Sequence, residues 1–169
     1  MKNKRYAIDV DGVIRNLYHQ MKQFDDVEDL EERWVPRLPQ NLWDDIDVRP
    51  KFYLYDAPIY KSMLLFIRKE LGLENCIFLT NQCNIAIREF WTKKFIDLYF
   101  GDQKVIFVGN FKEKIDFLLN NEDYILFDDY PKFYEKEGFD LVKDRIYLVA
   151  RKWNNEHRHN FNNILELND

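Results

Sequence analysis

Cysteine is scarce: Cys76 and Cys83 are the only two in 169 residues. That excludes a disulfide framework, and no paired Cys/His pattern suggests a zinc site. Cys83 has no histidine near it in the chain to act as a base, which argues against a thiol nucleophile. Two free thiols fit a reducing, cytoplasmic setting. No run of 18 apolar residues exists, so no membrane span is expected. The opening MKNKRYAIDV is charged but lacks the apolar stretch and small-residue cleavage site of a secretion signal. Basic charge is not in excess either, with 25 Lys and Arg against 30 Asp and Glu and a net charge of -5. This argues against a long nucleic-acid footprint, although a local site on an acidic protein still binds small anions. There is no internal repeat and no low-complexity segment.

Hydrophobic residues make up 46% of the chain and aromatics 17%, a globular composition sufficient for one domain with a real core. Tyr6, Ala7, Ile8 and Val10 read as a buried strand, and Asp9, Asp11 and Gly12 stand where it ends. Residues 16–34 have helical spacing through Leu17, Met21 and Phe24, followed by a proline-bearing stretch to Pro50. Residues 16–56 are too long for an ordinary loop and read as a small helical insertion over the site, with 1–15 and 57–169 forming the main domain. A helix opening at Pro58 follows, buried through Met63, Leu64, Ile67 and Leu71 and closed by Gly72. CIFLT at 76–80 is a second strand, and the helix over 85–99 is expected to bury Ile87, Phe90, Trp91, Phe95 and Leu98. KVIFV at 104–108, YILF at 124–127 and RIYLVA at 145–150 are three more strands, and a helix begun by Lys112 buries Ile115, Leu118 and Leu119. The tail after Lys152 is polar and is expected to wrap the surface. Strands alternating with helices imply an α/β fold, a Rossmann-like parallel sheet with helices on both faces.

The strand ends carry the chemistry. Asp9 and Asp11 end the first, Thr80 the second, Lys112 follows the third, and Asp128 and Asp129 end the fourth. In a parallel sheet these tips share one edge and converge on one crevice. Singly, each has a plain alternative as a turn, a helix cap or a solvated charge. The D-x-D-G spacing does not match a calcium loop, whose pattern D-x-[DN]-x-[DN]-G sets a third Asp or Asn before its glycine. Together the groups suit phosphoryl transfer. A carboxylate attacks phosphorus, acids hold Mg²⁺, a hydroxyl and an ammonium hold phosphate oxygens, and a second carboxyl moves the proton. A receiver domain uses similar groups in a different order.

The order IDVDGV, FLTNQ, GNFKEK, LFDDYP resembles the haloacid dehalogenase (HAD) superfamily of Mg²⁺-dependent phosphatases over residues 4–154. The resemblance implies that Asp9 is the nucleophile and Asp11 the general acid/base. It implies that Thr80 and the Asn81 backbone bind phosphate. Mg²⁺ is then held by Asp9, the Asp11 carbonyl and Asp128, with Asp129 supporting through water. Lys112 is the preferred phosphate-binding lysine, because it starts its helix; Lys114 lies about 200° round.

The insertion is similar to a C1 cap of that superfamily. WVPRLPQNLWDDID, FYLYDAP and LVARKWN resemble the 5'(3')-deoxyribonucleotidase branch, whereas FLTNQCNIA resembles the branch containing histidinol-phosphate and polynucleotide 3'-phosphatases. The expected substrate is a small phosphate monoester, first a (deoxy)nucleoside monophosphate. A sugar phosphate, a nucleic-acid terminal phosphate, or a binding module without turnover are the alternatives. Phe24, Trp34 and Trp43 are candidates for stacking on a base, and equally for building a small core in the insertion.

Overall fold

A computed structural model describes residues 4–22, 39–82 and 85–168. Among them is a six-stranded sheet in the order β3-β2-β1-β4-β5-β6. The strands are β1 (Arg5–Ile8), β2 (Cys76–Asn81), β3 (Val105–Val108), β4 (Tyr124–Asp128), β5 (Ile146–Val149) and β6 (Asn163–Leu165). Every pairing is parallel. The α/β sheet expected from the sequence is therefore present. It gains a strand from the tail, where a polar surface wrap was expected.

Side chains alternate across a strand, so β1 sends Ala7 and Ile8 to opposite faces. Ala7 joins Leu126, Ile115, Leu118, Phe139 and Val142 in one core, beneath α5 (Phe111–Asn120) and α6 (Phe139–Val142). Ile8 joins Phe78, Met63, Ile67, Phe95 and Ile96 in the other, beneath α3 (Lys61–Phe66) and α4 (Ala86–Phe100). Both faces are covered, as a parallel sheet requires. Helix α3 starts three residues after Pro58 and runs into a widened turn at Ile67–Leu71 that ends on Gly72, at φ 76°. Cys76 is buried beneath that turn, and desolvation pushes its thiol up to about 12.

Helix α4 departs from expectation. Its buried residues are Arg88, Thr92, Phe95, Ile96 and Phe100, while Ile87, Phe90 and Leu98 are exposed. Arg88 turns inward because it forms a two-pronged pair with Asp47, at 2.6 and 2.9 Å. Thr92 turns inward because it accepts from the buried Arg15 guanidinium at 3.1 and 3.2 Å. These polar contacts choose the face of a helix that is apolar on several sides.

The segment after β1 builds a third, separate core. Leu17 and Met21 of α1 (Leu17–Met21) meet Leu42 and Ile46 of α2 (Gln40–Val48), and Tyr53 and Leu54 of the turn Lys51–Tyr55. Trp43 packs against this cluster with the Arg88 guanidinium 4.6 Å from its ring centre. Phe24, Trp34 and Cys83 lie outside the described residues.

Candidate active site

The register explains why the acids meet. Ile8 is paired with Phe127, and the Asp9 amide donates to the Phe127 carbonyl at 2.9 Å, which sets Asp9 beside Asp128. By strand alternation Asp9 follows Ala7, and Asp128 follows Leu126, onto the face covered by α5. Helix α5 presents Lys114 there. Its Nζ lies 2.9 Å from Asp9 Oδ1 and 2.6 Å from Asp128 Oδ2, and the lysine is fully buried.

Lys112 is elsewhere. Its ammonium pairs with Asp116 on the outer side of α5, partly exposed. The geometry sets Lys114, and not the preferred Lys112, against Asp9 and Asp128. Asn110 caps α5 by accepting from the Glu113 amide at 3.1 Å, which starts the helix at Phe111. Position 114 then shares the inward face with Leu118, one turn on. Ile115 and Leu118 are inside as expected, but Leu119 is exposed, and Lys114, about 40° round the helix from Leu118, takes the inward side instead.

Asp11 is gripped from two sides. Arg15 Nε donates to its Oδ1 at 2.6 Å and Nη2 to its Oδ2 at 2.9 Å, while Gln82 Nε2 donates to Oδ2 at 3.0 Å. Arg15 is wholly buried and also donates to the Leu54 carbonyl at 2.7 Å. Thr80 is buried at the end of β2, and Asn81 is the last residue of that strand.

Asp128 is satisfied by Lys114 and by the Tyr130 amide, which donates to Oδ1 at 2.9 Å. Asp129 accepts from Trp153 Nε1 at 3.0 Å. Its Oδ2 would lie 2.1 Å from a Cβ on Gly12, whose φ is +77°. Only glycine leaves that space and adopts that backbone without strain. Gln82 and Trp153 stand inside the stretches FLTNQ and LVARKWN, and Arg15 four residues after Asp11, but the sequence reading gives none of them a role.

Burial raises Asp9 to about 7, with Lys114 pulling down and Asp128 pushing up. Asp129 is held well above the usual carboxylate range by burial, then by Asp128 and Asp9. Burial works against the Lys114 ammonium, but Asp128 and Asp9 outweigh it and hold the lysine charged. The Tyr18 phenol, whose ring centre lies 4.5 Å from that of Trp153, is likewise raised by burial, then by Asp129 and Asp11.

A divalent cation fits this set. Asp9, Asp128 and Asp129 each bring a carboxylate oxygen within 4.8 Å of the others, all buried. Asp9 Oδ1 is buried without a well-aimed hydrogen bond, its contact with Lys114 being one of charge and proximity. Three acids stand together with one ammonium that touches two of them, and oxygen ligands of this kind suit a hard cation. The Asp11 carboxylate, committed to Arg15 and Gln82, stands outside the trio.

Solved structures share this architecture. A haloacid dehalogenase-like family hydrolase from Streptococcus pneumoniae matches with a TM-score of 0.58 at 11% identity, over 98% of this chain and 95% of its own. The fold is that of the haloacid dehalogenase-like proteins. A candidate beta-phosphoglucomutase from Thermotoga maritima shares the haloacid dehalogenase-like fold at a TM-score of 0.56 and 13% identity, over 96% and 94% of the two chains. So does a candidate haloacid dehalogenase-like hydrolase from Burkholderia xenovorans, at 0.51 and 15%, over 87% and 81%. No protein-family model and no curated protein matches the sequence. No helix among the described residues is long and apolar enough to cross a membrane.

Proposed function

We propose that this chain is a Mg²⁺-dependent phosphomonoesterase of the HAD superfamily that works through a phosphorylated Asp9. The observation that carries the reading is Lys114 joining Asp9 to Asp128 inside a buried acidic trio, with Asp11 two residues beyond Asp9. In the first step an Asp9 oxygen bonds to phosphorus while the bond to the ester oxygen breaks. Asp11 gives that oxygen its proton, so an alcohol leaves. In the second, Asp11 takes a proton from water, the water oxygen attacks phosphorus, and Asp9 is freed with release of phosphate. Thr80, the Asn81 backbone and Lys114 hold the non-bridging oxygens, and Arg15 and Gln82 fix the direction of Asp11. Asp9, the Asp11 carbonyl, Asp128 and Asp129 would hold Mg²⁺, which offsets repulsion between the carboxylate and the anionic phosphate.

Residues 16–56 act as a C1-type cap in this reading, a role supported by the separate core of Leu17, Met21, Leu42, Ile46, Tyr53 and Leu54. Nucleoside monophosphates are the first substrate class, on the likeness of the cap sequence to the deoxyribonucleotidase branch. Sugar phosphates are the second, favoured by the structural likeness to the candidate beta-phosphoglucomutase. The test is phosphate release from a panel of nucleotides, sugar phosphates and 3'-phosphorylated oligonucleotides, with Mg²⁺ and with chelator. The expected result is Mg²⁺-dependent release that chelator abolishes and Asp9→Asn eliminates. Release that persists in chelator or in Asp9→Asn would overturn the reading.

A further inference from the structure

The segment just after β5 grips the candidate site from behind. Arg151 Nε donates to the Gly12 carbonyl at 2.8 Å and Nη2 to the Val13 carbonyl at 3.0 Å, holding the turn that follows Asp11. Its guanidinium lies over the Tyr60 ring, 3.7 Å from the centre. Asn154 Nδ2 donates to the Asp129 carbonyl at 3.1 Å and the Val149 carbonyl at 2.9 Å, and Asn154 Oδ1 accepts from the Arg151 amide at 3.0 Å. Trp153 completes the grip by donating Nε1 to Asp129 Oδ2. Arg151, Trp153 and Asn154 are all buried, at 8%, 5% and 0% exposure.

The consequence falls on Asp129. Its Oδ2 rests against the bare α-carbon of Gly12 on one side and takes the Trp153 N–H on the other, while Asn154 holds its backbone. One carboxylate oxygen is thereby pinned, which fixes the direction of the other. Such outer partners set the aim and basicity of a metal-binding carboxylate, and losing one costs roughly 10–100-fold in metal affinity.

We infer that Trp153 is a positioning residue for the cation, acting through its indole N–H on Asp129. The inference rests on the metal reading of Asp9, Asp128 and Asp129. Trp153→Phe removes the donor but keeps a ring against Tyr18. Mn²⁺ binding, followed by paramagnetic resonance of the free ion without substrate, is expected to weaken about 10-fold in this variant relative to the unsubstituted protein. In the unsubstituted protein, the Trp153 indole N–H resonance is expected to shift when Mg²⁺ is added. It is identified by elimination, using Phe substitutions at Trp34, Trp43 and Trp91. The second measurement serves even if Trp153→Phe does not fold. Equal Mn²⁺ affinity in a folded Trp153→Phe, or an indole signal that ignores Mg²⁺, would overturn the inference. Failure of the unsubstituted protein to bind either ion would instead overturn the metal reading beneath it.

Discussion

Two lysines, two residues apart on α5, illustrate how environment assigns a role. Lys112 pairs with Asp116 where water reaches both, and such exposed pairs contribute about 0–1 kcal/mol. Lys114 is wholly buried against Asp9 and Asp128. Removing one member of a buried ion pair leaves its partner uncompensated, at about 3–5 kcal/mol. Lys114→Met is expected to lose stability of that order in chelator, and to recover part of it with Mg²⁺, which replaces some of the missing positive charge. Lys112→Met is expected to stay within about 0.5 kcal/mol of the unsubstituted protein. Urea unfolding midpoints, with and without Mg²⁺, measure both. Equal losses in the two variants would contradict the assignment of the site lysine.

At the scale of elements, α4 shows packing and polarity deciding a face together. Phe95 is fully buried, with the Arg15 guanidinium 5.3 Å from its ring centre. Phe90, one and a half turns earlier, is 51% exposed and packs locally on Trp91 and beneath Lys94. Phe95→Ala is expected to cost about 3–5 kcal/mol, through lost burial and the cavity left behind. Phe90→Ser is expected to cost about 0.5 kcal/mol or less. Denaturant midpoints check the contrast, and a reversed order would place the wrong face inward. Ile87, Phe90 and Leu98 read from the sequence as core together with Phe95, which is buried, but Arg88, Thr92 and Ile96 recur around Phe95 just as regularly. Hydropathy alone does not choose between them. The choice is made by Asp47 and Arg15, which belong to other elements.

Across the whole molecule, the legible parts were those written locally. Apolar runs ending in Asp9, Thr80 and Asp128 disclosed the parallel sheet and its chemical edge. Lys114 was not legible, because the apolar face expected of α5, through Ile115, Leu118 and Leu119, lies nearer to Lys112, and Leu119 is in fact exposed. Gln82 falls inside FLTNQ, and Arg151, Trp153 and Asn154 inside LVARKWN, but their contacts at the site were not legible, nor was that of Arg15. Arg151 meets Gly12 across 139 positions of chain, and Gln82 meets Asp11 across 71. Contacts of that separation are produced by topology and leave no periodic trace. The same holds for β6, a three-residue edge strand in a polar tail.

The proposed function rests on one central claim, that Asp9, set beside Asp128 and Lys114, carries the phosphoryl group during turnover. Its most direct test is an acid quench of the protein during steady hydrolysis of a phosphate monoester with Mg²⁺. Peptic digestion at low pH and mass measurement of the fragment spanning Tyr6–Asn16 then follow. The account predicts the added mass of one phosphoryl group on Asp9, absent in Asp9→Asn. Phosphate release without modification of Asp9, or with the phosphoryl group on another side chain, would contradict it.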